Sequence, residues 1–90
     1  MSASHLVVVP AATERPSAAD KIKRLQAEAR DLAHGQVEAL AAGLSDVARL
    51  AAEIAEGGEL YPVGARELSR RITEEASKQS LTLSAIIDRI

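Results

Sequence analysis

The sequence predicts an all-α fold, a hairpin of two long helices that pairs with a second copy into a homodimeric four-helix bundle. Three observations predict it. From Ile22 to Ile54 the apolar residues Ile22, Leu25, Ala29, Leu32, Ala33, Val37, Leu40, Leu44, Val47, Ala51 and Ile54 fall within an arc of roughly 140° at about 100° per residue. Lys23, Arg24, Glu28, Asp31, Glu38, Arg49, Glu53 and Glu56 fall outside that arc. A second apolar stripe, Leu68, Ile72, Ala76, Leu83, Ile86 and Ile90, keeps the same period after the break at Gly57-Gly58. A single amphipathic helix cannot bury its own apolar face, so each stripe requires a helical neighbour.

Residues 1–16 form an N-terminal arm, extended or flexible, distinct from a helical hairpin domain over 17–90. Leu6 to Val9 is β-prone and flanked by small polar residues, and Pro10 and Pro16 interrupt any regular element. Such a segment can dock on apolar surface or pair with another chain. Ser17 suits an N-cap, and Asp20 places negative charge near the positive end of the helix dipole. The first helix then covers about 18–56, with Gly57-Gly58 as its left-handed stop. Gly35 lies off the stripe and invites a bend, but one continuous helix fits the period better than two. Gly43 lies at the stripe's edge, where a missing side chain lets another backbone approach closely.

The turn occupies 57–62. Proline at 62 pushes Tyr61 toward an extended conformation and is itself tolerated in a first helical turn. The second helix covers about 63–90, with Arg70, Glu74 and Lys78 as an i,i+4 ladder and Glu67 with Arg71 as a further pair. Ser77, Ser80, Thr82 and Ser84 lower its helix propensity. A break near 77–82 would leave a short third helix at the C-terminus, capped by Ser80 or Thr82. The heptad of Ile22 to Leu32 and that of Val37 to Ile54 differ in register by one residue. A period of 3.6 therefore fits better than 3.5, which favours straight bundle helices over a long coiled coil.

Length sharpens the oligomeric expectation. At 1.5 Å per residue the first helix is roughly 58 Å long and the second about 40 Å. Folding back from Gly57-Gly58 leaves about Ala19 to Arg30 without an intrachain neighbour. Ile22, Leu25, Ala29 and Leu32 are therefore the candidate self-association residues. The composition points the same way. Tyr61 is the only aromatic residue, and many apolar residues are alanines, which bury little area at about 25 cal/mol per Å². Gln26 and Gln36 intrude on the arc and could fix register through a buried hydrogen bond.

Several function classes are disfavoured. A net charge of −2 and a pI near 5.6 argue against a bulk electrostatic partner such as nucleic acid or an anionic membrane. Basic and acidic residues number six and eight up to Glu56 and five and five beyond it, so neither half is a basic module. Without cysteine there is no disulfide framework and no thiolate metal site. No apolar run nears the roughly 20 residues that span a bilayer. His5 to Pro10 is too short for a secretory core, so a cytoplasmic location is expected.

The residues offer little chemistry. His34 has Asp31 and Glu38 within helical reach, yet a metal would need a further ligand from elsewhere. Glu53 with Glu56, and Glu74 with Glu75, resemble paired carboxylates but have no neighbour that would tune a proton transfer. Gly57-Gly58 lacks the spacing of a phosphate loop. No catalytic residue, cofactor site or metal site is therefore assigned, and an enzyme is not expected. The expected function is that of a small non-catalytic protein–protein interaction module, an adaptor or regulator, that self-associates through an apolar helix face. The alternative is a dimeric nucleic-acid-binding regulator that uses Arg66, Arg70 and Arg71, the densest basic cluster. Glu67, Glu74 and Glu75 sit among those arginines, and no aromatic is placed to stack on a base.

Overall fold

A computed structural model describes residues 15–89. The expected arm therefore lies outside the described residues apart from Arg15 and Pro16, as does Ile90. Helix α1 spans Ala18–Ala55, a single 3-10 turn follows over Gly58–Leu60, and helix α2 spans Val63–Asp88. Among the described residues there is no strand. The chain divides into two compact units, Met1–Leu32 and Ala33–Ile90.

The first unit holds the start of α1. Ser17 Oγ accepts from the backbone N–H of Asp20 at 3.1 Å, and Asp20 Oδ2 accepts from the Ser17 N–H at 3.3 Å. This reciprocal pair satisfies two of the donors that every helix start leaves orphaned. Helix α1 runs without interruption through Gly35. A Cβ at Gly35 would meet no neighbouring group within 4 Å, so no other element packs closely against this glycine.

The second unit is an antiparallel helical hairpin, and its turn explains the glycine pair. Gly58 carries the only positive φ among the described residues, at 66°, whereas Gly57 has φ −75° and ψ −2°. The left-handed residue is thus Gly58 alone. Gly57 is required for space, since a Cβ there would run into the Tyr61 ring and the Glu53 carbonyl. Tyr61 is extended at φ −117° and ψ 142°, as the following proline demands. Its N–H donates to Gly58 O at 3.2 Å, and its own carbonyl accepts from Arg66 Nε at 3.2 Å.

Gly58→Ala should destabilise the protein by about 1–2 kcal/mol, the penalty of a left-handed conformation for a residue with a Cβ. Gly35→Ala should instead stabilise it by up to about 1 kcal/mol, because the position is helical and open. Urea denaturation of the two variants checks the opposite signs.

The break expected near 77–82 does not occur, and no third helix forms: α2 is continuous from Val63 to Asp88. The hydroxyls that lower intrinsic propensity are absorbed without opening the helix. Thr73 Oγ1 donates to Ser69 O at 2.9 Å and Thr82 Oγ1 to Lys78 O at 2.8 Å. Ser80 Oγ crosses to Ala41 O at 2.7 Å.

The seam between the helices departs from the expected stripe. The buried apolar residues are Ala41, Ala48, Ala51, Ala76 and Ile87, joined by Ser69. Ala41 and Ala48 lie beyond one edge of the apolar arc. Leu40 and Val47 of the stripe stay exposed, as does Leu50 beside it, while Leu44 is half-buried. On α2 the seam is likewise rotated onto Ser69, Thr73, Ala76 and Ser80, leaving Leu68, Ile72 and Ile86 outside. The reason is proximity. Small residues let the backbones approach until side-chain hydroxyls reach the carbonyls of the opposite helix, and Thr73 Oγ1 lies 3.4 Å from Ala48 O. Leucines in the seam would hold the two helices apart.

Candidate protein-interaction surface

In the first unit all four candidate self-association residues are exposed. Leu25 and Leu32 keep 62% and 77% of their surface accessible. Ile22, Leu25, Ala29 and Leu32 recur at spacings of three, four and three residues, which places them on one face of α1. Gln26 is exposed as well.

In the second unit the surface divides into a dry flank and a wet flank. Rotating off the seam at about 100° per residue, Leu40, Gly43, Val47, Leu50 and Ile54 follow one another along one flank of α1. The corresponding flank of α2 carries Leu68, Ile72, Gln79, Leu83 and Ile86. Because the helices are antiparallel, the same rotational sense carries both sets to the same side of the hairpin. Leu40 and Leu50 are 57% and 59% exposed, and Gln36 also lies exposed on this side. No charged residue of either helix falls within this flank, and Glu75 marks its rim, accepting from Gln79 Nε2 at 3.3 Å.

The charges lie elsewhere. Arg49 Nη2 pairs with Asp46 Oδ1 at 2.7 Å, and Arg70 Nη1 with Glu67 Oε1 at 3.0 Å. The expected partnership of Glu67 with Arg71 is thus replaced by one with Arg70, and the expected Arg70–Glu74–Lys78 ladder does not form ion pairs within 4 Å among the described residues. These pairs are solvent-exposed and contribute little to stability. His34 Nδ1 lies 2.6 Å from Glu38 Oε1.

Two of the three alternative nucleic-acid contacts are engaged within the chain. Arg66 is half-buried and donates to the Tyr61 carbonyl, Arg70 is engaged by Glu67, and Arg71 is exposed. Two open grooves flank the seam. One, of about 220 Å³, is lined by Glu38, Ala41, Ala42, Ser45, Ser80 and Ser84. The other, of about 170 Å³, is lined by Ala52, Ala55, Glu56, Arg70, Thr73 and Glu74. Both are shallow consequences of small side chains meeting along the seam. Among the described residues no group of three or more His, Cys, Asp or Glu could hold a metal ion. No buried side-chain polar atom there lacks a hydrogen-bond partner, and no helix is long and apolar enough to cross a membrane.

Sequence reasoning located the exposed residues of the first unit from the length mismatch between the helices. It missed that the dry flank of the second unit belongs to two helices at once. The signal was present in Ala41, Ala48, Ser69, Thr73 and Ser80, which share the heptad spacing of a seam but carry too little hydrophobicity to stand out. Comparisons with protein-family models, with curated proteins and with solved structures return no match.

Proposed function

We propose that this protein is a non-catalytic helical interaction module, an adaptor or regulator, that works by self-association through apolar helix faces. One observation carries the reading: the hairpin buries four alanines and a single large apolar residue, Ile87, while Leu40, Leu50, Leu68, Ile72 and Ile86 remain exposed. Soluble monomers rarely leave contiguous apolar patches larger than a few hundred Å² uncovered. Neither groove combines an enclosed volume with convergent polar groups, so the surfaces support contact between proteins better than turnover of a small molecule.

Leu25→Asp tests the contribution of the first unit. Light scattering across dilution should report a dimer for the unaltered chain and a mass shifted toward the monomer for the variant. Helical circular dichroism of the second unit should be retained, because Leu25 is exposed and the change buries no charge in the chain itself. A folded monomer for the unaltered chain at every concentration would reject the reading.

A further inference from the structure

We propose that the dry flank of the hairpin, formed by Leu40, Val47 and Leu50 of α1 with Leu68, Ile72 and Ile86 of α2, is covered by the same flank of a second copy. This deepens the interaction-module reading and rests on it. It assigns self-association to a face two helices wide within the second unit, whereas the row Ile22, Leu25, Ala29 and Leu32 belongs to the first.

Three features of the face select a second copy as its occupant. The first is charge. With no charged side chain within the flank, the face offers nothing to steer or pair with an acidic or basic partner segment, whereas an identical uncharged face matches it throughout. The second is width and area. A lone helix would cover one row and leave the other exposed, whereas a second hairpin covers both. The six side chains named above, each with between 37% and 59% of its surface exposed, supply several hundred Å² of apolar area. With the half-buried Ile54 and Leu83 between them, the face supplies the larger part of the roughly 800 Å² that each partner gives to a standard stable interface.

The third feature is a matched notch and projection. The contacts Ser80–Ala41 and Thr73–Ala48 fix the pairing of the helices so that residue numbers at one level sum to about 121. Gly43 and Gln79 therefore lie side by side at one level of the face. A Cβ at Gly43 would meet nothing within 4 Å, and Gln79 is exposed. Two face-to-face two-fold arrangements are available, and each gives the Gln79 amide a place when the axis is set at or through that level. With the axis along the helices, Gln79 of each copy meets the Gly43 notch of the other. With the axis across the helices, Gln79 meets Gln79, and two amides satisfy one another. An isologous contact requires this kind of self-complementarity.

The test uses the full chain. Light scattering should give a dimer for the unaltered protein and a monomer for Leu50→Asp and for Ile72→Asp, each checked by circular dichroism for retained helix. Cross-linking supplies a readout that does not depend on those variants. The chain has no cysteine, so a Gly43→Cys, Gln79→Cys double variant places the only thiols on the face at the level of either two-fold axis. Oxidation at a concentration where light scattering reports the dimer should give a covalent dimer, and peptide mapping of the monomer band shows whether any remainder has closed a 43–79 disulfide within one chain. Ala42→Cys, exposed off the flank, should remain monomeric on a denaturing gel. If Leu25→Cys cross-links while the double variant does not, the self-association reading stands and this face is wrong. An unaltered chain that is a folded monomer at all concentrations overturns both. A dimer from Ala42→Cys at the yield of the double variant would place the contact on the wet flank and overturn this proposal alone.

Discussion

Ala48→Leu should cost about 3 kcal/mol, the upper part of the range for forcing extra methylenes into a packed site. It should do so although leucine is the better helix former among large residues and the more hydrophobic of the two. Ala48 is 6% exposed and sits against α2, where Thr73 Oγ1 approaches its carbonyl to 3.4 Å. A leucine there has no room unless the helices separate. Separation would also pull Ser80 Oγ away from the Ala41 carbonyl at 2.7 Å, since both contacts depend on one interhelical distance. Urea denaturation read by circular dichroism measures the loss. For comparison, Leu40→Ala removes more hydrophobic area but from a side chain 57% exposed in the chain itself. An unchanged midpoint for Ala48→Leu would mean that the seam is not where these helices meet.

That contrast shows what the sequence could and could not reveal. The helix ends were legible because they rest on local chemistry. Ser17 and Asp20 cap each other, Gly58 takes the left-handed turn, and Pro62 dictates the extended Tyr61. The continuity of α1 through Gly35 followed from an apolar period that does not break there. The seam was not legible, because an apolar stripe weights residues by size. Leu40, Leu44 and Val47 dominate such a stripe, yet alanine, serine and threonine set how near two backbones can come. Ser80 illustrates the ambiguity. Its hydroxyl competes with the local backbone in an isolated helix, but across a close seam it finds an acceptor on the neighbouring helix.

The same residues bear on how the interaction surfaces were read. The length mismatch drew attention to Ile22, Leu25 and Ala29, which are exposed in the first unit, as is Leu32. It gave no reason to expect a second apolar surface where the two helices lie side by side. That surface exists because the hairpin closes on alanine. Arg66 shows the converse problem. Counted in sequence it belongs to a basic cluster, whereas in the fold its guanidinium holds the turn by donating to the Tyr61 carbonyl.

Stability should rise with chain concentration, and by an amount that single-chain packing does not produce. Among the described residues the buried apolar set consists of four alanines and one isoleucine, and no side chain falls below 2% exposure. Alanine has almost no side-chain entropy to lose, but each one buries little area, so the hairpin gains modestly from its own seam. Much of the apolar surface of the described residues lies in leucine, isoleucine and valine side chains that the hairpin seam leaves exposed. If a second copy covers them, folding and association are one equilibrium, and tenfold more protein stabilises the dimer by about 1.4 kcal/mol. Between micromolar and millimolar chain the gain is about 4 kcal/mol per dimer, which corresponds to a rise in thermal midpoint on the order of 10 °C. Thermal unfolding followed by circular dichroism over that range reads the effect directly. For Leu50→Asp the dependence should flatten and the midpoint at high concentration should fall, while at the lowest concentrations the two proteins converge. A midpoint independent of concentration in the unaltered chain would mean that the alanine seam suffices, and that the exposed leucines serve some contact other than one between copies.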